Sequence, residues 1–165
     1  MHRLSYLLFA VALVAATAVE IATFSLLPAI VPARFAADGT PRGFSVRDVY
    51  IATMLGVTVG LPLLIFVSMA CLPRMAPRSL NLPHRDYWLA PARRDETFAT
   101  LRAFVCVLGS FVALFAMAVH LLIVNANLTA GGRLSPLFIV LLAGFIAGML
   151  GWVAALYWRF RRPDV

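Results

Sequence analysis

Four long apolar runs limit what this chain can fold into. A helix needs about 20 apolar residues to cross a bilayer, and runs of that length extend over residues 4–27, 49–72, 98–124 and 137–158. Of the 165 residues 62% are hydrophobic and only 13% are charged, whereas a soluble domain carries about 25% charged residues. We therefore predict an all-α, polytopic membrane protein whose four transmembrane helices form one bundle and one domain.

The connections between these runs are short, and the predicted loops cover residues 28–48, 73–97 and 125–136. Within the second run Pro62 removes one backbone hydrogen bond, so we expect a kink there. The third helix should begin before the membrane, because Pro91 suits a first turn and Asp95 with Glu96 suits the positive end of the helix dipole. Such a helix has about 34 residues and is about 50 Å long.

The distribution of arginine predicts the orientation. All 14 basic residues are arginines, which fits the arginine-rich coding of some bacteria. Ten of them lie before the first run, in the loop at 73–97 with the start of the third helix, and after the fourth run; the other four lie in the loops at 28–48 and 125–136. Basic residues accumulate on the cytoplasmic side of a membrane. Both termini and the loop at 73–97 are therefore predicted to be cytoplasmic, with the protein in a bacterial inner membrane.

The net charge of +7 is also typical of proteins that bind nucleic acid. Here, however, the arginines flank apolar runs, where they set topology, so we predict no nucleic-acid partner. Cys71 and Cys106 have no neighbour at metal-ligand or redox spacing. We accordingly expect buried thiols, no metal and no cofactor.

The segment from Leu80 to Thr97 is the most polar part of the chain. His84 and Asp86 form a His-x-Asp pair, but catalysis or metal binding needs further positioned groups that this segment lacks, so we predict no enzymatic activity. Its aromatic rings and arginines instead suit the headgroup region and the lipid phosphates. The predicted cytoplasmic interfacial motif comprises Pro83, Asp86, Tyr87, Trp88, Leu89, Pro91, Arg93 and Arg94.

The loop after the first run contains prolines and glycines at spacings that exclude a continuous helix. Its motif residues are Leu27, Pro28, Pro32, Arg34, Phe35, Gly39, Pro41, Gly43 and Phe44. This order, together with the interfacial motif, resembles a bacterial membrane domain of unknown function that is found at the amino-terminal end of SdpI-type immunity proteins. That family usually has a histidine at the position of Arg34.

The resemblance implies a polytopic inner-membrane protein. In one branch of the family it implies immunity to a peptide toxin and signalling of the presence of that toxin. The defining domain of the family covers the first span, the loop and the second span, and the fuller members are longer. The present chain is therefore similar to a short form of the group.

Glu20 is the acidic residue inside a predicted span, and an intramembrane carboxyl group points to function. It lies about 10 Å from the outer end of its helix, and His120 lies about 6 Å from the outer end of the third helix. We expect the two to meet near Thr23, Thr53 and Asn125, as an ion pair or with Glu20 as a neutral acid. A packing role for Glu20 and a proton, ion or ligand role both stay open.

Three functions fit these features. The first is a non-enzymatic protein of the SdpI-related kind that senses a membrane-active agent, or protects against it, through the outer loop. The second is a small transporter or channel subunit that uses Glu20 and His120, and the third is a structural or assembly subunit. The expected partner is the lipid bilayer, with a membrane-active peptide or another membrane protein as further candidates. Glycine pairs at 56 and 60 and at 144 and 148 also permit a homo-oligomer.

Overall fold

The structure of the chain is a computed structural model, and it describes residues 2–75, 82–129 and 132–161. The elements follow one another in the order α1 (His2–Thr23), a 3-10 turn (Phe24–Leu26), β1 (Ile30–Phe35), β2 (Pro41–Val46), α2 (Arg47–Leu55), a π-helical turn (Gly56–Gly60), α3 (Leu61–Met75), α4 (Arg85–Trp88), α5 (Arg94–Leu128) and α6 (Leu137–Phe160).

The described part of the chain contains four helices that are long and apolar enough to cross a membrane. They cover Arg3–Leu26, Arg47–Cys71, Arg94–Leu128 and Leu137–Phe160, so the predicted number of helices is confirmed. The third is the longest, with 35 residues, and it begins at Arg94 with Asp95 and Glu96 in its first turn. Pro91 lies in the turn before this helix rather than inside it.

The prediction of an all-α protein is wrong for the loop after α1. Strands β1 and β2 form a two-stranded antiparallel sheet, in which Ile30 pairs with Val46 and Phe35 pairs with Pro41. Proline lacks the N–H that a central strand needs, so within a sheet it is confined to edge strands. In a sheet of two strands each strand is an edge, so Pro32 and Pro41 are tolerated in it.

The turn of this hairpin is fixed to the connection between α5 and α6. Gly39 has a φ of 80°, and its carbonyl oxygen accepts a hydrogen bond of 2.9 Å from the backbone N–H of Leu134. The Asp38 carboxylate accepts bonds from the hydroxyl and the backbone N–H of Thr40. The Thr40 hydroxyl is the main cause that lowers the pKa of Asp38 below its ordinary value, so this carboxylate is ionised at neutral pH.

The second long helix changes its winding just before Pro62. In an α-helix the backbone carbonyl oxygen of Thr58 would accept a hydrogen bond from the N–H of residue 62. Pro62 has no N–H, so this bond cannot form. The turn from Gly56 to Gly60 is π-helical, and the N–H of Leu61 donates to the carbonyl oxygen of Gly56, five residues before it. A π-bulge of this kind inserts an extra residue and turns the following side chains about the helix axis.

Helix α5 lies at the centre of the bundle and packs against α1, α3 and α6. The face that α1 buries carries Phe9, Ala12 and Ala16, and α5 buries Gly109, Ala113 and Ala116. A Cβ atom added to Gly109 would lie 2.5 Å from Cε2 of Phe9. The small residues therefore let these two helix backbones approach closely.

The glycine pairs at 56 and 60 and at 144 and 148 lie outside the contact between α1 and α5. A Cβ atom on Gly56, Gly60 or Gly144 would meet nothing within 4 Å, whereas one on Gly148 would lie 3.0 Å from Cε1 of Phe111. Among the residues that the structure describes, Gly148 is thus the member of these pairs that adjoins another helix.

Replacement of Gly39 by alanine should destabilise the hairpin. Alanine is strained at a φ of 80°, and its Cβ would lie 2.6 Å from the carbonyl oxygen of Leu134. We expect the free energy of unfolding to fall by about 1–3 kcal/mol, measured by thermal denaturation in detergent. Gly144→Ala is the control, since its Cβ would meet nothing within 4 Å. Equal melting temperatures for the two variants would contradict the docking of the turn on Leu134.

Candidate functional site

Five polar side chains from four segments meet inside the apolar bundle, and we call them the polar cluster. They are Glu20 and Thr23 of α1, Tyr50 of α2, Thr58 of the π-helical turn and His120 of α5. Glu20, Thr58 and His120 are each 0% exposed. Buried polar groups are retained where their hydrogen bonds are met or where they serve function, so each bond of this cluster bears on its role.

The two oxygens of the Glu20 carboxyl group differ in their hydrogen bonding. Its Oε1 accepts a hydrogen bond of 2.5 Å from the hydroxyl of Thr58. Its Oε2 is buried and has no hydrogen-bond partner among the described residues. One oxygen of the group therefore remains available to a proton, an ion or a polar ligand inside the bundle.

His120 is held by a bond at each ring nitrogen. Its Nε2 lies 2.6 Å from the Thr23 hydroxyl, and its Nδ1 lies 3.0 Å from the Tyr50 hydroxyl. The Thr23 hydroxyl also donates to the carbonyl oxygen of Val19 at 2.7 Å, which uses its single hydrogen. The assignment that satisfies all three groups has Nε2–H donating to Thr23 and Tyr50 O–H donating to Nδ1, with a neutral imidazole.

The predicted meeting of Glu20 with His120 takes a different form from an ion pair. Glu20 bonds Thr58, and His120 bonds Thr23 and Tyr50. The two groups are still neighbours, because Thr23 follows Glu20 by one turn of α1. Helix α5 ends at Leu128, so His120 lies about 12 Å from that end rather than the expected 6 Å.

Two of the predicted site residues lie outside the cluster. Thr53 is exposed and donates to the carbonyl oxygen of Val49 in its own helix. Asn125 is also exposed, and its backbone carbonyl oxygen caps the end of α5 by accepting from Thr129. The prediction that they join the polar set is therefore wrong.

Tyr50 and Thr58 take their places, and neither was singled out from the sequence. A signal was present, since the two residues are eight positions apart and so lie on one face of a helix. Thr53 is three positions from Tyr50, and this spacing also places two residues on one face of a helix. Only the packing of α2 on α1 and α5, with the winding of the π-helical turn, distinguishes Thr58 from Thr53.

A cleft opens at the end of the bundle that carries the hairpin, and we call it the hairpin cleft. It has a volume of about 570 Å³, within the range of about 300–1,000 Å³ that ligand sites have. Most of its walls are apolar, and Asp38 lies at its rim, 3.9 Å from Arg133. The lining comes from the hairpin, from the part of α5 nearest the hairpin and from the start of α6, with Phe35, Val119, Ile123, Leu134 and Phe138 among its residues.

The residues of the loop motif divide between support and lining. Leu27 is buried in the apolar core beneath the hairpin, together with Val31 and Ile123. Gly39 fixes the turn through its bond with Leu134. Gly39 and Phe35 both line the cleft. Phe44 instead is 64% exposed. The remaining motif residues are half-buried or exposed and belong to the frame of the hairpin: Pro28, Pro32, Arg34, Pro41 and Gly43.

The interfacial motif lies at the opposite end of the bundle, which we call the terminal end because α1 begins and α6 ends there. Trp88 is half-buried, and its indole N–H donates to the carbonyl oxygen of Phe160 at 3.0 Å. Its own carbonyl oxygen accepts from the hydroxyl of Thr97. The tryptophan thus joins α4 to α5 and α6, and Arg93 covers the ring of Tyr87 at 4.0 Å.

The other members of the interfacial motif differ in how far they are buried. Leu89 packs on the apolar core of the terminal end and Pro83 is half-buried, whereas Asp86 and Pro91 are exposed. The guanidinium of Arg94 lies 5.8 Å from the centre of the Phe98 ring. His84 and Asp86 are both exposed, and no group of three or more His, Cys, Asp or Glu that could hold a metal occurs in the part of the chain that the structure describes.

Comparison with known proteins adds no relative to this picture. No protein-family model matches the chain, and no curated protein or solved structure matches it. The interpretation of the polar cluster and of the hairpin cleft therefore depends on their own geometry.

Replacement of Thr58 by valine tests the cluster. Valine keeps the shape of threonine but removes the donor to Glu20, which leaves a buried carboxyl group without that bond, so the free energy of unfolding should fall by about 1–3 kcal/mol. Thr53→Val is the matched control on the same helix and should change it by less than about 0.5 kcal/mol. Thermal denaturation of the purified variants measures both.

A double variant tests whether the hydrogen bond between Thr58 and Glu20 accounts for the loss of stability. Adding Glu20→Leu to Thr58→Val removes both polar groups together, and most of the lost stability should return. If the double variant is less stable than Thr58→Val by the full cost of a second buried replacement, the bond between Glu20 and Thr58 does not stabilise the fold.

Proposed function

We propose that this chain is a non-enzymatic, multi-pass protein of a bacterial inner membrane, and that it senses a membrane-active agent or protects against it by binding that agent in the hairpin cleft. Four apolar helices support insertion in a bilayer. So do the large apolar side chains on their outward faces: Val14, Leu64 and Val140 are 69%, 64% and 67% exposed. A water-soluble protein rarely exposes apolar patches of this extent.

The distribution of arginine supports an orientation with both termini in the cytoplasm. The hairpin end carries Arg34, Arg42, Arg47 and Arg133; in the sequence the other ten arginines lie before the first span, between the second span and the start of the third, and after the fourth span. In this orientation the hairpin cleft opens toward the outside of the cell. An agent that partitions into the outer leaflet would therefore reach the cleft from the membrane surface.

The cleft itself is the observation that carries the proposal. Its apolar walls suit the apolar side of an amphipathic molecule, and the ionised Asp38 beside Arg133 provides polar contacts at the rim. The hairpin is held from below by Leu27 and Val31 and at its turn by Leu134. A cleft with walls held in this way can bind a ligand without first ordering a loop.

The resemblance to the amino-terminal domain of SdpI-type proteins points in the same direction. The residues that carry it include Leu27, Phe35 and Gly39, which support, line and fix the cleft. We propose kinship with that group on these residues. Immunity to a peptide is the activity that the kinship would bring, with an amphipathic peptide as the candidate ligand and no enzymatic step.

Survival of bacteria that express the chain provides the test. Cells are challenged with a panel of amphipathic membrane-active peptides, and the minimum inhibitory concentration is measured for wild type and variants at equal membrane levels of the protein. Phe35→Ala removes an aromatic wall of the cleft and should abolish most of the protection, a loss of about 1–3 kcal/mol in binding or about tenfold or more in inhibitory concentration.

Phe44→Ala is the matched control, because Phe44 lies on the same hairpin but does not line the cleft. Protection should survive this change, and it should also survive Glu20→Gln. If Phe44→Ala and Phe35→Ala reduce protection equally, the hairpin surface binds the agent and the cleft does not. Protection that depends on Glu20 alone would favour transport.

A transporter or channel subunit is the second candidate, and the open Oε2 of Glu20 favours it. An intramembrane carboxyl group with a free oxygen, one turn from the Thr23 that bonds His120, suits a proton or cation relay. Proton and cation flux into liposomes that contain the purified protein should then fall at least tenfold for Glu20→Gln. Flux that is equal for Glu20→Gln and wild type would reject this candidate.

A further inference from the structure

A second cavity lies at the terminal end, far from the polar cluster and from the hairpin cleft. Helices α1 and α6 both pack on α5 and leave a groove of about 740 Å³ between them. Ser5 contributes from α1, and the floor and walls come from α5 and α6. We call it the terminal groove.

The terminal groove is charged at one end and apolar at the other. Glu96 and Arg159 lie at its mouth, where Nη2 of Arg159 is 3.5 Å from Oε1 of Glu96. Farther along α5 the lining is Phe104, Val107 and Phe111. A ligand that fills this groove must therefore have a polar head and an apolar tail.

Glycine opens the apolar part of the groove. Gly148, Gly151 and Ala155 follow one another at spacings of three and four on α6, and all three line it. A Cβ atom on Gly151 would meet nothing within 4 Å. Trp152 forms a fixed wall beside them, because its indole N–H donates to the carbonyl oxygen of Phe104 at 2.9 Å.

The length of the groove matches one leaflet of a bilayer. Along α5 it extends from Glu96 to Phe111, which is about 22 Å of helix at 1.5 Å per residue. Half of a bilayer with its headgroups is about 20–22 Å thick. The groove therefore has the length that one lipid occupies within a single leaflet.

The charges at the mouth select the headgroup. A carboxylate and a guanidinium side by side complement a headgroup that carries both an ammonium and a phosphate. The existing pair between Glu96 and Arg159 is exposed and long, at 3.5 Å, and a surface pair of this kind contributes only about 0–1 kcal/mol. A zwitterionic headgroup can therefore replace one weak contact with two opposite-charge contacts.

We propose that the terminal groove binds one phospholipid with a primary ammonium in its headgroup, such as phosphatidylethanolamine. The phosphate contacts Arg159, the ammonium contacts Glu96, and one acyl chain follows the glycines of α6 toward Phe111. This inference rests on the bilayer insertion that the proposed function includes. It is independent of any ligand in the hairpin cleft.

Native mass spectrometry of the protein reconstituted with equal amounts of phosphatidylethanolamine, phosphatidylcholine and phosphatidylglycerol tests the inference. We expect one retained phosphatidylethanolamine for each protomer, at about tenfold higher occupancy than either other lipid. Gly151→Leu fills the groove and should lower that occupancy about tenfold. Gly144→Leu is the matched control on the same helix, since Gly144 also faces open space but does not line the groove.

Two charge variants test the contacts of the lipid headgroup independently of the acyl chain. Glu96→Gln should bring phosphatidylethanolamine and phosphatidylcholine to equal occupancy, because the preference for a primary ammonium is lost. Arg159→Gln should lower the occupancy of both. Equal effects of Gly151→Leu and Gly144→Leu, or no preference among the three lipids in wild type, would overturn the proposal. A dimer that Gly151→Leu dissociates would assign the groove to a second copy and overturn it as well.

Flotation with liposomes and resistance to carbonate extraction are measured on the same preparations. If the chain does not insert into the bilayer, both the proposed membrane function and the proposed lipid binding in the terminal groove are wrong. A chain that inserts and confers protection, but retains no phosphatidylethanolamine, would overturn the groove alone.

Discussion

The close approach of α1 and α5 is the contact on which the rest of the structure depends. Gly109 gives the ring of Phe9 room against the α5 backbone, and alanines continue the same stripe toward the hairpin end. Close packing of small residues stabilises helix pairs where burial from water contributes little, as in a bilayer. The stripe leads to Thr23 and His120, whose bond of 2.6 Å requires the two backbones to be near each other.

The polar cluster and the hairpin cleft share an apolar layer. Tyr50 bonds His120 on one side and packs with Val31 and Ile123 on the other. Ile123 also lines the cleft. The two candidate sites are thus separated by a few closely packed side chains, and a shift of α5 along its axis would alter both. Helix α6 contributes mainly to the cleft and the terminal groove, since its outward face is largely exposed.

The sequence predicted the parts of the site that composition makes conspicuous. Glu20 and His120 are ionisable residues inside apolar runs, and such residues rarely occur there without a reason. Their bonding partners were not predictable in the same way, because threonine and tyrosine are common in apolar helices. Thr58 rather than Thr53 reaches Glu20 because Thr58 lies in the π-helical turn, which packs on α1 and α5, whereas Thr53 is exposed. For the loop after α1 the prolines and glycines excluded a continuous helix but did not indicate the hairpin, since proline occurs in sheets only on edge strands.

The apolar runs and the position of the arginines determined by themselves that the chain forms four long helices with short connections, because a run of about 20 apolar residues without charge has few other stable structures. The face of each helix that turns inward was decided only by the tertiary structure. Interhelical contacts of α1, α2 and α5 placed Glu20 against Thr58 and His120 between Thr23 and Tyr50. Side chains with nearly equal local preferences are distinguished by packing, which depends on residues far apart in the chain.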